Sequence, residues 1–186
     1  MSYYSCDELV RMGFQNVGKN VLVSTKASIY NCDSVSIGEK SRIDDYCVIS
    51  GNVTIGKHVH LAAGCLVAGG EKGVCIEDFA GLAYHVMVFS QSDDYSGMTL
   101  TNPTVPDEYK RERKLRVVLG RHVIVGAGSI VFPGVSIAEG CAIGALSLLQ
   151  DSTEPWGVYA GRPAVRVNER RRKLLELEAG LLLKDE

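Results

Sequence analysis

VVLGRH, VIVGAG, SIVFPG, VSIAEG, CAIGAL and SLLQDS, residues 117–152, are six hexads laid end to end, and the third position of each is aliphatic: Leu119, Val125, Val131, Ile137, Ile143 and Leu149. The same spacing runs through Ile37, Ile43, Ile49, Ile55, Leu61 and Val67, continues after three extra residues at Ile76, Leu82 and Val88, and begins at Val17, Val23 and Ile29. Two residues ahead of most of these sits a small or β-branched residue, among them Ser41, Val59, Ala80, Val123, Ser129 and Ser147. A period of six fits neither the 3.6 of a helix nor the 2 of a strand. It fits short strands joined by tight corners, each burying the same two positions. Three hexads make one triangular coil, so the eighteen aliphatic positions predict a parallel β-helix of about six coils spanning residues 17–164.

Outside the repeat, Ser5 to Met12 reads as a short helix within an N-terminal cap, residues 1–16, because a bare first coil would expose an open strand edge. The block 165–186 loses the period and takes on helical composition, which predicts a C-terminal helix. Val88 and Leu119 stand 31 residues apart where the repeat expects six. The excess leaves the prism as an arm at about 92–116, and function concentrates in such excursions.

The balance of 20 basic and 22 acidic residues supplies no field that would gather nucleic acid. No apolar run approaches the ~20 residues of a membrane span, and the start lacks the pattern of a signal peptide, so the chain reads as cytoplasmic without membrane insertion. Cys47, Cys65 and Cys141 fall at the small inward position and read as compact core residues, not disulfide or metal partners.

The hexads, the arm opening Ser92-Asp93-Asp94-Tyr95-Ser96-Gly97, the segment Thr101-Asn102-Pro103 and the ending from Pro155 to Ala164 resemble the hexapeptide-repeat acyltransferases. Within them the resemblance is to the maltose and galactoside O-acetyltransferase-like branch, common in bacterial surface-polysaccharide gene clusters. It implies an all-β, left-handed parallel β-helix, a homotrimer with active sites between subunits, and transfer of an acetyl group from acetyl-CoA to a sugar or nucleotide-sugar without a metal. It also implies cofactor contacts at Gly126, Ala127 and Gly128, at Gly144, Ala145, Leu146 and Ser147, and at Ala160, Gly161, Arg162, Pro163 and Ala164, with Arg166 near the phosphates. A wall without side-chain bulk would let backbone groups reach the pantetheine amides.

Galactoside acetyltransferases carry a histidine shortly after the third strand of the coil before the arm, where this chain has Asp93. An ordinary carboxylate near ~3.9 is a poorer base than imidazole near ~6.5. Register counting therefore turns to the histidines. His60 points out from a middle face with Gly81 one coil above, His85 sits on a corner between Gly64 and Gly128, and His58 and His122 share another corner. The expectation is His60 as general base, with His85 the second candidate and Asp93 or Asp94 orienting it or holding the acceptor. Whether the acceptor is a hydroxyl or an amine stays open. Two rival readings share the fold. A γ-carbonic-anhydrase-like metalloenzyme needs a His-x-x-x-x-His pair, whereas the spacings here are two, 25 and 37; the other rival is a non-catalytic trimeric scaffold.

Overall fold

The structure, a computed structural model, describes residues 2–185 and the side chains as far as Leu183. The hexads form the expected parallel ladders: Asn16–Val17, Val35–Ile37 and the end of Val48–Ile55 stack on the first face, and Leu22–Val23, Arg42–Ile43, His60–Leu61 and Gly81–Leu82 on the second. On the third face Ser28–Ile29 pairs with the start of Val48–Ile55, Leu66–Ile76 follows, and Met87–Phe89 and Ile130–Val131 continue the ladder. Six coils are complete, and Gly157–Gly161 opens a seventh.

Packing follows the two inward columns. Ile37, Ile43, Ile49, Leu61, Ile76, Leu119 and Ile137 are each 0% exposed. Burying such side chains stabilises by roughly 1.5–3 kcal/mol each before conformational entropy is set against it. The small column carries polar groups as well, and they are satisfied locally. Ser41 Oγ donates to the Gly56 carbonyl at 2.7 Å and accepts from Val59 N–H at 3.0 Å, while the buried Cys47 and Cys65 thiols donate to Ala62 and Ala83 carbonyls at 3.2 and 3.1 Å. Burial pushes the Cys65 thiol up after its neighbour Cys47, so it stays protonated.

Coils two to six each turn two of their corners on a left-handed residue. The first corner uses Lys40, His58, Phe79, His122, Gly140 and Trp156, with φ of 54° to 71°; the second uses Tyr46, Gly64, His85, Gly128 and Leu146, with φ of 56° to 76°. Non-glycine residues there pay a conformational cost, offset by a backbone hydrogen bond to the coil below at each step, such as His85 N–H to Ala63 O at 3.2 Å. The first corner also stacks its rings: His58 on Phe79 at 4.7 Å and Phe79 on His122 at 5.2 Å.

Helix α1, Cys6–Arg11, closes the first coil with buried Leu9 and a capping box between Ser5 and Glu8. At the other end the expected helix over 165–186 is corrected. Ala164–Glu169 is a strand, antiparallel to Gly157–Gly161, and helix α2 covers only Leu174–Asp185. The last strand of the prism leaves an unpaired edge, and Val165 and Val167, β-branched and two apart, suit the strand that covers it. The helix then anchors sideways: His122 Nε2 lies 2.8 Å from the Glu178 carboxylate, which also pairs with Arg121.

Candidate active site

Residues that begin the second corner form a column of small side chains: Ser24, Ala62, Ala83, Gly126, Gly144 and Ala160. Asp44 breaks the pattern. Its side chain is 4% exposed, which only a full set of partners makes tolerable. Arg42, two residues earlier, donates Nε to Oδ1 at 2.6 Å and Nη2 to Oδ2 at 2.9 Å, and His60 Nε2 lies 2.8 Å from Oδ2. The guanidinium, with help from the imidazole and against the burial, holds the Asp44 carboxyl below the usual carboxylate range. An ionised carboxylate only accepts, so the Nε2 proton belongs to His60, and in the neutral ring the lone pair is then on Nδ1. Arg42 stands directly below His60 in register and Gly81 directly above. His85 takes the next coil of the same corner, its imidazole lying over Gly64, where a Cβ would meet Nδ1.

The arm is tied at its root. Gln91–Ser92 pairs antiparallel with Arg113–Lys114, and Leu115 N–H donates to Ser90 O at 2.9 Å. Asp93 and Asp94 follow at once and have different work. Asp94 accepts from Ser96 N–H at 2.9 Å, Ser96 Oγ at 2.8 Å and Thr99 Oγ1 at 3.1 Å, so it organises the loop, and those bonds lower its pKa. Among the described residues, the Asp93 carboxylate receives only a long bond, from Asn102 N–H at 3.4 Å. It sits on the wall between two cavities: one of about 210 Å³ with Phe89, Ser92, Tyr95, Phe132 and Pro133, and one of about 460 Å³ with Asp94, Tyr95, Met98, Arg111 and Arg113.

Within one subunit the two carboxylates and the two histidines are not brought together. His60 and His85 belong to the second face and corner; Asp93 and Asp94 leave the prism after the third face. His58 and His122 are held in the ring stack of the first corner.

Above His85 the second corner carries the residues expected to line the cofactor. Ala145 and Leu146 are exposed, and Leu146 N–H donates to Ala127 O at 2.8 Å. The Ser147 side chain is 1% exposed and turned into the corner, where its hydroxyl donates to Gly144 O at 2.8 Å and accepts from Gly161 N–H at 3.2 Å. Gly126 has a packing reason of its own, since a Cβ there would lie 2.5 Å from Ala145 N. Gly144 is roomier, with Ala160 Cβ at 3.1 Å. Ala160, Gly161, Arg162 and Pro163 form the hairpin leading to Ala164. Arg162 Nε donates to Leu146 O at 2.7 Å, which ties that hairpin to the corner, and Arg166 pairs with Glu169 at 2.6 Å.

Arg42 and Asp44 were missed in the sequence. The 18-residue ruler that put Gly81 above His60 also puts Arg42 below it, and a charged residue in an otherwise small column was the available signal.

Comparison with known proteins agrees with this geometry. Residues 34–69 match the family described as bacterial transferase hexapeptide (six repeats). The chain is 44% identical over 182 residues, 96% of its length and 94% of the other's, to dTDP-4-amino-4,6-dideoxy-D-glucose acyltransferase of Escherichia coli. It superposes with a TM-score of 0.97 on AntD, an N-acyltransferase from Bacillus cereus in complex with dTDP and 3-hydroxybutyryl-CoA, at 47% identity over 98% of this chain and 97% of that one. A maltose O-acetyltransferase from Clostridium difficile 630 shares the fold alone, with a TM-score of 0.58 at 19% identity over 89% of this chain and 75% of that one. Matched along 96% of its length or more, the chain belongs to the hexapeptide-repeat acyltransferases and is an acyl-CoA-dependent acyltransferase of sugars.

Proposed function

We propose that the chain N-acylates the amine of a dTDP-linked 4-amino-4,6-dideoxy sugar, for surface-glycan assembly in the cytoplasm, as a homotrimer. The observation that carries this reading is Asp93: a carboxylate with a single long hydrogen bond, on the wall of two cavities, where an ammonium would be drawn. The E. coli relative's substrate class and the dTDP bound to AntD support the nucleotide part. The flat prism faces and the exposed leucines Leu177 and Leu183 of α2 support association.

In this reading acyl-CoA lies along the second corner, over Gly144, Ala145 and Leu146, with Arg162 and Arg166 toward its phosphates. A neighbouring subunit's arm brings the acceptor to that corner. The ammonium gives up one proton, and the neutral nitrogen attacks the thioester carbonyl. The tetrahedral species then expels the CoA thiolate, which is protonated, and the amide nitrogen loses its second proton. Asp93 holds the ammonium and is placed to receive its proton; His60, with its lone pair on Nδ1 and Nε2 fixed by Asp44, is the second acceptor of protons. Incubation with acetyl-CoA and dTDP-4-amino-4,6-dideoxyglucose should add one acetyl mass to the nucleotide-sugar. No mass gain, with acetyl-CoA or with 3-hydroxybutyryl-CoA, sinks the proposal.

A further inference from the structure

The returning limb of the arm reads Lys110-Arg111-Glu112-Arg113-Lys114, four cations around one acid. Their partners divide by residue type. Lys110 Nζ lies 3.0 Å from Asp107 and Lys114 Nζ 2.8 Å from Glu112, so both lysines are neutralised along the limb. Arg111 and Arg113 are exposed and have no ion-pair partner among the described residues. Residues two apart in extended chain share a face and stand roughly 6.6 Å apart. Both arginines border the cavity of about 460 Å³ that also holds Asp93 and Asp94. Glu112 borders it too but is held by Lys114.

Opposite charges thus face one cleft without closing on each other. Asp94 is taken up by Ser96 and Thr99, and Asp93 accepts one long bond from backbone. A ligand that carries both signs would satisfy both sets at once. The diphosphate of a nucleotide-linked sugar bears two negative charges on adjacent phosphates, and a guanidinium presents a planar fork that grips phosphate oxygens in pairs. An amino sugar adds a cation at the far end of the same molecule.

We infer that Arg111 and Arg113 form a diphosphate clamp on the arm, gripping the nucleotide-sugar's linked phosphates while Asp93 receives its ammonium. The inference rests on the proposed acylation of a nucleotide-linked amino sugar. It makes the arm, not the prism, the element that selects nucleotide-linked over free sugars.

The test pairs calorimetric binding of dTDP with steady-state kinetics on dTDP-4-amino-4,6-dideoxyglucose, for the full chain and for Arg111→Gln, Arg113→Gln and the double variant. Each single change should raise KM for the nucleotide-sugar and Kd for dTDP by roughly 10-fold or more, as expected for loss of a charge-assisted phosphate contact. KM for acetyl-CoA and the melting temperature should stay as in the parent. Arg116→Gln, which removes an equally exposed cation outside this cavity, should leave every value within about twofold. If the parent binds dTDP no better than thymidine, or the double variant keeps both constants, the clamp is wrong although N-acylation stands wherever turnover is seen. If the parent fails to acylate this nucleotide-sugar yet loses dTDP binding in the double variant, the clamp is upheld and the acceptor assignment falls instead.

Discussion

At the scale of single residues, Asp44 sets how His60 can act. A buried carboxylate that loses its charge leaves Arg42 and His60 without the acceptor that fixes them, and Asp44→Asn should destabilise the fold by about 2–3 kcal/mol, the worth of hydrogen bonds to a charged group. Because the folded-state pKa of Asp44 is depressed, its contribution is present above the ordinary value near ~3.9 and is lost as pH falls through the lower folded value. Melting temperatures followed from neutral pH to below about pH 4 should therefore fall more steeply for the parent than for Asp44→Asn. An identical slope would mean that this carboxylate titrates normally.

The chemistry of the acceptor can be read from two further substitutions. An amine needs little help from a base once neutral, whereas a hydroxyl draws on the ~10²–10⁴-fold that general bases supply. For an amine acceptor His60→Ala should lower kcat by less than about 10-fold, while Asp93→Asn should lower kcat/KM for the acceptor by roughly 10-fold or more through loss of the ammonium's partner. A larger loss at His60 than at Asp93 would point to a hydroxyl. The position of His60 was legible because register counting places outward residues well. Its buried partner was harder to see: Asp44 lies in a column whose other members are small, and a lone acid there reads as surface until Arg42, two residues earlier on the same coil, is seen to pair with it.

Elements divide into those the repeat dictates and those it does not. The strands follow from aliphatic spacing alone, since each inward position meets the equivalent position of the next coil, 18 residues on wherever no insertion intervenes. The C-terminal segment obeyed a different constraint. Its composition favours helix only beyond Arg170, whereas Ala164–Glu169, with Val165 and Val167 two apart, pairs as a strand because an open ladder edge lies beside it, a tertiary demand that the helical composition of the following residues masks. The glycines of the second corner likewise split on packing. Gly126→Ala forces a Cβ against Ala145 backbone and should lower the melting temperature clearly. Ala145→Trp adds its bulk outside, so the melting temperature should hold while KM for acetyl-CoA rises. If Ala145→Trp binds CoA as the parent does, the cofactor track runs elsewhere.

For the whole molecule, the proposed trimer gives the separation of His60 and His85 from Asp93 along one chain a chemical purpose: in it a second copy sets its arm against the second corner of its neighbour. Light scattering at micromolar concentration should return a trimer, and a stable monomer retaining full turnover would contradict the shared site. The closed root of the arm has a consequence of another kind. Since Ser90 and Leu115 are already joined by a hydrogen bond and the coils on either side stack directly, Val88 on Val131 and Ile76 on Leu119, the frame does not sense what lies between. Lengthening a flexible excursion adds only about 0.6 kcal/mol per doubling. The arm is in effect an exchangeable cassette on a permanent chassis, so, with the arm and the prism in their proposed roles, a lineage can change its clientele by rewriting some twenty-odd residues while the scaffold proposed to carry the acyl donor stays as it was.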